Sequence, residues 1–171
     1  TYNYGTIEKN NALVDTNYNI IENNTGTINR YSSDATLNEN SGTINTLSKG
    51  SVRKNTGKIN DVNDKNVTIY NYAGGTVGKS DNAWGVRACT VWNMGGIVQG
   101  YSSYADNVKV YNFEGGTVSN LRKGSVIYNL GGTITDSSTA QVLNCYKVNI
   151  NSSFVETWND KFIINPDTGE V

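Results

Sequence analysis

The chain has no histidine, one proline, one methionine and two cysteines among its 171 residues. Each shortage removes a class of function. Without histidine there is no Ser-His-Asp or Cys-His catalytic set, and the commonest metal ligand is missing. Cys89 and Cys145 have no C-x-x-C spacing and form no zinc signature. A net charge of −1 offers no basic face to nucleic acid and no polybasic run to a membrane surface. No apolar run is long enough to span a bilayer, so membrane insertion is not expected. No cofactor motif is present, and none is expected. The sequence starts at Thr1 inside a repeat with no leader segment, and it reads as a piece of a longer polypeptide.

What the chain has instead is asparagine, 27 of them, with 18 threonines and 18 glycines. Asparagine favours turns and left-handed backbone, which argues against a helical enzyme. The phrase Asn, Gly, Thr, Ile/Val recurs along the chain. Its glycines are Gly5, Gly26, Gly42, Gly57, Gly75, Gly96, Gly116 and Gly132. Asparagines precede them at Asn3, Asn23, Asn40, Asn55, Asn71, Asn93, Asn112 and Asn129, and Asn144 starts one more turn. The steps of 15 to 21 residues are too short for two-helix repeats. No segment keeps a 3.6-residue period, and β-branched and aromatic residues dominate. The pattern predicts an all-β, single-stranded parallel β-solenoid of eight to nine coils over residues 1–150, read as right-handed. Residues 151–171 lack an anchor, and Phe154, Trp158, Phe162 and Ile163 suit a C-terminal cap.

Alignment on the asparagine assigns the faces. Two residues before it stand Ile69, Val91, Val110, Ile127 and Val142; four before it stand Val67, Cys89 and Val108. Alternation sends these columns inward and sends the column Tyr70, Trp92, Tyr111 and Tyr128 outward. Gly50, Asn66, Asn107 and Gly124 fall five before the asparagine, where a left-handed corner suits them. Arg53 breaks the alternation and predicts a one-residue slip in its coil. Stacked coils lie about 4.8 Å apart, so Asn55, Asn71, Asn93, Asn112, Asn129 and Asn144 should form a hydrogen-bonded ladder. Cys89 and Cys145, three coils apart, are then too distant to bridge.

These Asn-x-Gly-Thr-Ile coils resemble the repetitive β-helical segments of bacterial surface and secreted proteins, of pectin-lyase-like and adhesin-like architecture. The resemblance implies an extracellular or cell-surface, non-enzymatic segment, adhesin-like or structural, that contacts a glycan or a host or cell-surface protein. A polysaccharide-active lyase or hydrolase is the alternative. It needs two carboxylates facing one bond, and Asp61 and Asp136 share a column but lie four coils apart. Arg87 and Lys123 flank Asp106 in a third column, which reads as a surface ladder of charges. A threonine column, Thr6, Thr27, Thr43, Thr76, Thr117 and Thr133, leaves ice binding as a further alternative.

The outward rings are the candidate ligand-binding residues: Tyr70, Trp92, Tyr111 and Tyr128 form a strip of about 14 Å. Cross-strand ring stacking explains the same column without a ligand. Two long insertions follow Val77 and Val98. They add Trp84, Tyr101 and Tyr104 to the candidates, at the same height in the stack. An extra strand or a loop packed on the core would also account for these insertions.

Overall fold

The strands are short, and most of them carry a branched apolar residue at an inward position. A strand of two to six residues cannot bury a face alone, so each one needs the coil before it and the coil after it. A computed structural model shows this arrangement. It describes residues 1–79, 85–100, 107–136 and 139–144. The expected cap over 151–171, with Phe154, Trp158, Phe162 and Ile163, lies outside the described residues, as does Cys145.

The chain is a parallel β-solenoid with two stacked sheets. In the first, strands stack in the order Tyr2–Asn3, Leu13–Asn17, Thr27–Tyr31, Thr43–Leu47, Lys58–Asn63, Thr76–Val77, Ile97–Gln99, Thr117–Ser119 and Thr133–Asp136. In the second the order is Ile7–Asn10, Ile21–Asn24, Glu39–Asn40, Ser51–Asn55, Thr68–Tyr72, Thr90–Met94, Lys109–Phe113, Val126–Leu130 and Gln141–Asn144. Nine rungs on each sheet enclose about eight turns. Two extra short strands, Thr36–Leu37 and Val86–Arg87, pair beside this path. Val86–Arg87 lies in the first long insertion and continues the first sheet against Val62 and Asn63. That insertion therefore contains an extra strand.

The core is one stack of branched residues between the sheets. The first sheet supplies Val14, Ile28, Ile44, Ile59, Val77, Val98 and Val118, and the second Ile21, Leu37, Val52, Ile69, Val91, Val110 and Ile127, all buried. Val67, Cys89 and Val108 line the third side, as their column predicts. The burial of Cys89 pushes its thiol up to about 12.

The asparagine ladder is present and continuous. Each amide nitrogen donates to the side-chain oxygen of the next rung: Asn10 to Asn24 at 2.8 Å, Asn24 to Asn40 at 2.7 Å, Asn40 to Asn55 at 2.7 Å, and Asn55 to Asn71 at 2.8 Å. It continues through Asn93 at 2.9 Å, Asn112 at 2.8 Å, Asn129 at 3.1 Å and Asn144 at 3.4 Å. The second N–H of several rungs reaches corner carbonyls, as Asn71 does to Gly75 at 3.3 Å and Ile97 at 3.2 Å. Buried amides that spend donors and acceptors this way leave no polar group stranded.

Two early rungs differ from the sequence-based alignment. Asn3 is not on this ladder: it pairs with Asn17, in the first sheet, at 2.6 Å. Asn24, not Asn23, is the second rung, and Asn10 is the first. The opening step from Gly5 therefore starts on the wrong corner, because the true first corner reads Asn10-Asn11-Ala12 with alanine where later coils have glycine. Thr6 likewise falls outside the threonine column, which begins at Leu13 and runs Thr27, Thr43, Lys58, Thr76, Ile97, Thr117, Thr133.

The glycines serve two purposes. At Gly42 the backbone of the preceding coil is so near that an added Cβ would lie 2.1 Å from the Gly26 carbonyl oxygen. In the later coils two adjacent glycines share these purposes, since Gly95 takes φ +97° and Gly96 has no room beside the Asn71 amide. The left-handed corner column also holds, with Gly50, Asn107 and Gly124 at positive φ, but it includes Ala88 at φ 46° and excludes Asn66.

The slip predicted at Arg53 is a β-bulge. Ile69 pairs with Val52 and Asn71 with Asn55, so two residues, Arg53 and Lys54, stand where Tyr70 stands alone. All coils before residue 63 share this wider spacing between the core residue and the ladder asparagine. From Thr68 onward the spacing tightens to one residue. The solenoid therefore has two halves with different outer surfaces.

Candidate functional site

Tight alternation in the second half leaves one outward residue between Ile/Val and asparagine, and that residue is aromatic. Register places Tyr70, Trp92, Tyr111 and Tyr128 in one column, followed by Leu143. Ring centroids are 6.1 Å apart for Tyr70 and Trp92, 4.1 Å for Trp92 and Tyr111, and 4.9 Å for Tyr111 and Tyr128. Interplanar angles are 13°, 12° and 12°, so the rings stack face to face. A second column, one residue past the asparagine, carries Tyr72, Met94, Phe113 and Leu130. The alignment on asparagine could have revealed it, since these residues follow Asn71, Asn93, Asn112 and Asn129. Phe113 stacks on Trp92 at 6.2 Å.

Tyr70, Trp92, Tyr111 and Tyr128 with Met94, Phe113 and Leu130 form an apolar cluster separate from the core. Trp92 is only 4% exposed, whereas Tyr70, Tyr111 and Tyr128 are half-buried. The faces of the rings are occupied by one another. What the strip presents along its length is ring edges. Trp92 is a packed ring in the middle of the cluster, as cross-strand stacking of the column leads one to expect. The other candidates, Trp84, Tyr101 and Tyr104, lie outside the described residues, as does Asp106.

In the first half the same face is charged. Lys9, Asn23, Glu39 and Lys54 fill the column, and Lys54 pairs with Glu39 at 2.9 Å. A shallow groove of about 410 Å³ lies among Lys9, Asn23, Thr25, Glu39 and Ser41. The first sheet carries its own half-buried ladder: Asn60 donates to Asn45 at 2.8 Å, Asn45 to Asn29 at 2.9 Å, and Asn29 to Asp15 at 3.0 Å. The Thr1 ammonium, by hydrogen bond and then by charge, holds the Asp15 carboxyl below its usual range.

Sequence reasoning missed a second aromatic group. Tyr2, Tyr4 and Tyr18 are 66%, 71% and 49% exposed. Tyr4 and Tyr18 stack at 5.2 Å with an 11° angle, and Tyr2 lies 6.5 Å from each. The signal was there as Asn3-Tyr4 and Asn17-Tyr18, one coil apart, but it was masked by placing Asn3 on the wrong ladder. Beside Tyr18 runs a groove of about 490 Å³ lined by Tyr18, Arg30, Ser32, Ser48, Lys49 and Asn63.

Among the described residues, no three His, Cys, Asp or Glu side chains come close enough to share a metal ion. Tyr31, whose hydroxyl is pushed up by burial, donates to the Ala35 carbonyl at 3.2 Å and serves a corner. No helix is long and apolar enough among the described residues to cross a membrane. Comparison with protein-family models, with curated proteins and with solved structures finds no match to this chain.

Proposed function

We propose that this chain is a non-enzymatic β-helix segment of a bacterial surface or secreted protein, adhesin-like or structural. The observation that carries the reading is the unbroken asparagine ladder from Asn10 to Asn144. It binds every coil to the next and leaves the outer columns free to vary, from Lys9, Asn23, Glu39 and Lys54 to Tyr70, Trp92, Tyr111 and Tyr128. A rod of this kind holds its surface groups with little conformational entropy left to lose on binding. Among the described residues, the groups with displaced pKa values, Asp15, Tyr31 and Cys89, sit on different coils, and neither groove is lined by them. That separation favours a scaffold over an acid–base site.

The stretch from Tyr70 to Tyr128, with Trp84, Tyr101 and Tyr104, is the proposed contact for a glycan or a protein of the host or cell surface. The test has three arms. Antibody against the chain should label intact cells of the source organism as strongly as permeabilised ones. A glycan array and a pull-down from host-cell extract should report the partner. Release of reducing ends or unsaturated uronates from a polysaccharide panel would replace this reading with the lyase or hydrolase alternative. Thermal hysteresis in a freezing assay would bring ice binding forward in its place, though Leu13, Lys58 and Ile97 interrupt the threonine column.

A further inference from the structure

The first sheet ends each early coil with an inward residue followed by a corner residue. The inward column is Asn3, Asn17, Tyr31, Leu47 and Val62. The corner column is therefore Tyr4, Tyr18, Ser32, Ser48 and Asn63. Backbone hydrogen bonds fix it: Tyr18 donates to the Asn3 carbonyl at 3.0 Å, Ser32 to Asn17 at 2.8 Å, and Ser48 to Tyr31 at 2.8 Å. Two large rings are thus followed by two small hydroxyl residues and an amide, and the change of size creates the groove.

Tyr18 has Tyr4 on one face. On the other side the next rung carries Ser32 and no ring. Arg30 stands alongside, and its Nε donates to the Ser32 hydroxyl at 3.1 Å, which holds the guanidinium over the serine column. Lys49 flanks the same floor and makes a 3.4 Å contact with Asp34, a carboxylate that is itself 84% exposed. Such an exposed pair is weak and exchanges readily for another anion. The nearest carboxylate on the Arg30 column, Asp61, is engaged by Lys79 at 3.4 Å. The lining therefore holds two cations and no carboxylate.

We propose that this groove binds a carboxylate-bearing saccharide chain lying along the stack. One sugar ring sets its C–H face on the outer face of Tyr18, where the negative ring quadrupole meets weakly positive hydrogens. Its carboxylate takes the guanidinium of Arg30, a planar fork suited to two-point recognition, with Lys49 as a second charge. Ser32, Ser48 and Asn63 supply hydroxyl and amide partners at rung spacing. The site is separate from the Tyr70–Tyr128 strip and gives the adhesin-like reading, on which it rests for the class of ligand, a defined chemistry.

The test uses the whole chain on an array of uronate oligomers and sialic-acid-terminated glycans, beside their methyl esters and neutral counterparts. Binding to acidic probes is then measured by titration calorimetry. Acidic probes should bind, esters should not, and affinity should fall as salt rises. Tyr18→Ala and Arg30→Gln should each weaken binding at least tenfold with the melting temperature unchanged. Tyr18→Phe, which keeps the ring face, should retain it, and Lys9→Gln, on the other sheet, should have no effect. The proposal is overturned if wild type binds no acidic probe or binds esters equally. Acidic binding that survives Tyr18→Ala and Arg30→Gln also overturns it, while leaving the adhesin-like reading standing.

Discussion

Replacing Asn71 by alanine removes the central rung of the ladder. The residue is fully buried. Its amide accepts from Asn55 at 2.8 Å and donates to Asn93 at 2.9 Å, with further contacts to the Gly75 and Ile97 carbonyls. Alanine has none of these groups. The Asn55 amide is left with its 3.3 Å bond to the Gly57 carbonyl, and the Asn93 side-chain oxygen loses its donor. Stranding a buried polar group costs ~1–3 kcal/mol, and two lose their partner here, so the loss should be about 2–6 kcal/mol. For a chain of this size that corresponds to a Tm drop of roughly 4–24 °C. Asn144→Ala is the internal comparison, because this last rung accepts an exposed bond at 3.4 Å. It should cost under about 1 kcal/mol. Denaturant titration followed by circular dichroism measures both. Solenoids can open in parts, so hydrogen exchange should also show protection lost in the coils flanking residue 71 and kept far from it. Equal losses for Asn71→Ala and Asn144→Ala would refute the reasoning, since the amides would then not hold the interior together.

Four further outcomes follow from the same contacts. Gly42→Ala should destabilise by about 3 kcal/mol or more, because its Cβ meets the Gly26 carbonyl at 2.1 Å; Gly115→Ala, with 3.5 Å of room, should lose only the ~1–2 kcal/mol of a left-handed backbone. Ala88→Gly should raise stability by ~0.5–1 kcal/mol in the same titration, since φ 46° strains alanine by more than the entropy glycine loses. The Cys89 thiol, raised from 9.0 to about 12, stays neutral in the folded chain while its unfolded form ionises. Its contribution is complete below pH 9 and falls by ~1.4 kcal/mol per pH unit between about 9 and 12. The slope of stability against pH should therefore be shallower in Cys89→Ala, and native Cys89 should resist thiol reagents. Trp92→Ala should cost about 3–5 kcal/mol, because it empties the middle of the aromatic cluster; a melting point within experimental error of wild type would show that the ring stack adds nothing.

The later coils were legible in the sequence because each position in them repeats one physical requirement. Ile69, Val91, Val110 and Ile127 are in, Tyr70, Trp92, Tyr111 and Tyr128 are out, and Asn71, Asn93, Asn112 and Asn129 close the corner, all in one register. Arg53 announced its bulge by violating that alternation. The first coils were harder because the signal is split between two asparagine columns. Asn3 and Asn10 both look like rungs, and only the pairing with Asn17 and Asn24 tells them apart. Alanine at position 12 removed the glycine mark, since the close approach that demands glycine at residues 26 and 42 comes from an earlier coil behind them. The left-handed backbone of Ala88 had no residue-type signal at all. The candidate site was legible as an outward column. The stacking that turns its ring faces toward one another depends on side-chain torsions that a period cannot reveal. The groove beside Tyr18 was illegible for another reason: it is made by the absence of bulk at Ser32 and Ser48, and small residues carry no pattern.

The amides of the buried ladder from Asn10 to Asn144 all donate in one sense, from each rung toward the later one, opposite to the shorter ladder from Asn60 to Asp15. Reversing any single amide would set nitrogen against nitrogen on one side and oxygen against oxygen on the other, so the rungs are locked collectively. Their dipoles then add along the axis, as peptide dipoles do along a helix. The solenoid acquires an electrical polarity that its net charge of −1 does not reveal: carbonyl ends point toward the first coil and amino ends toward the last.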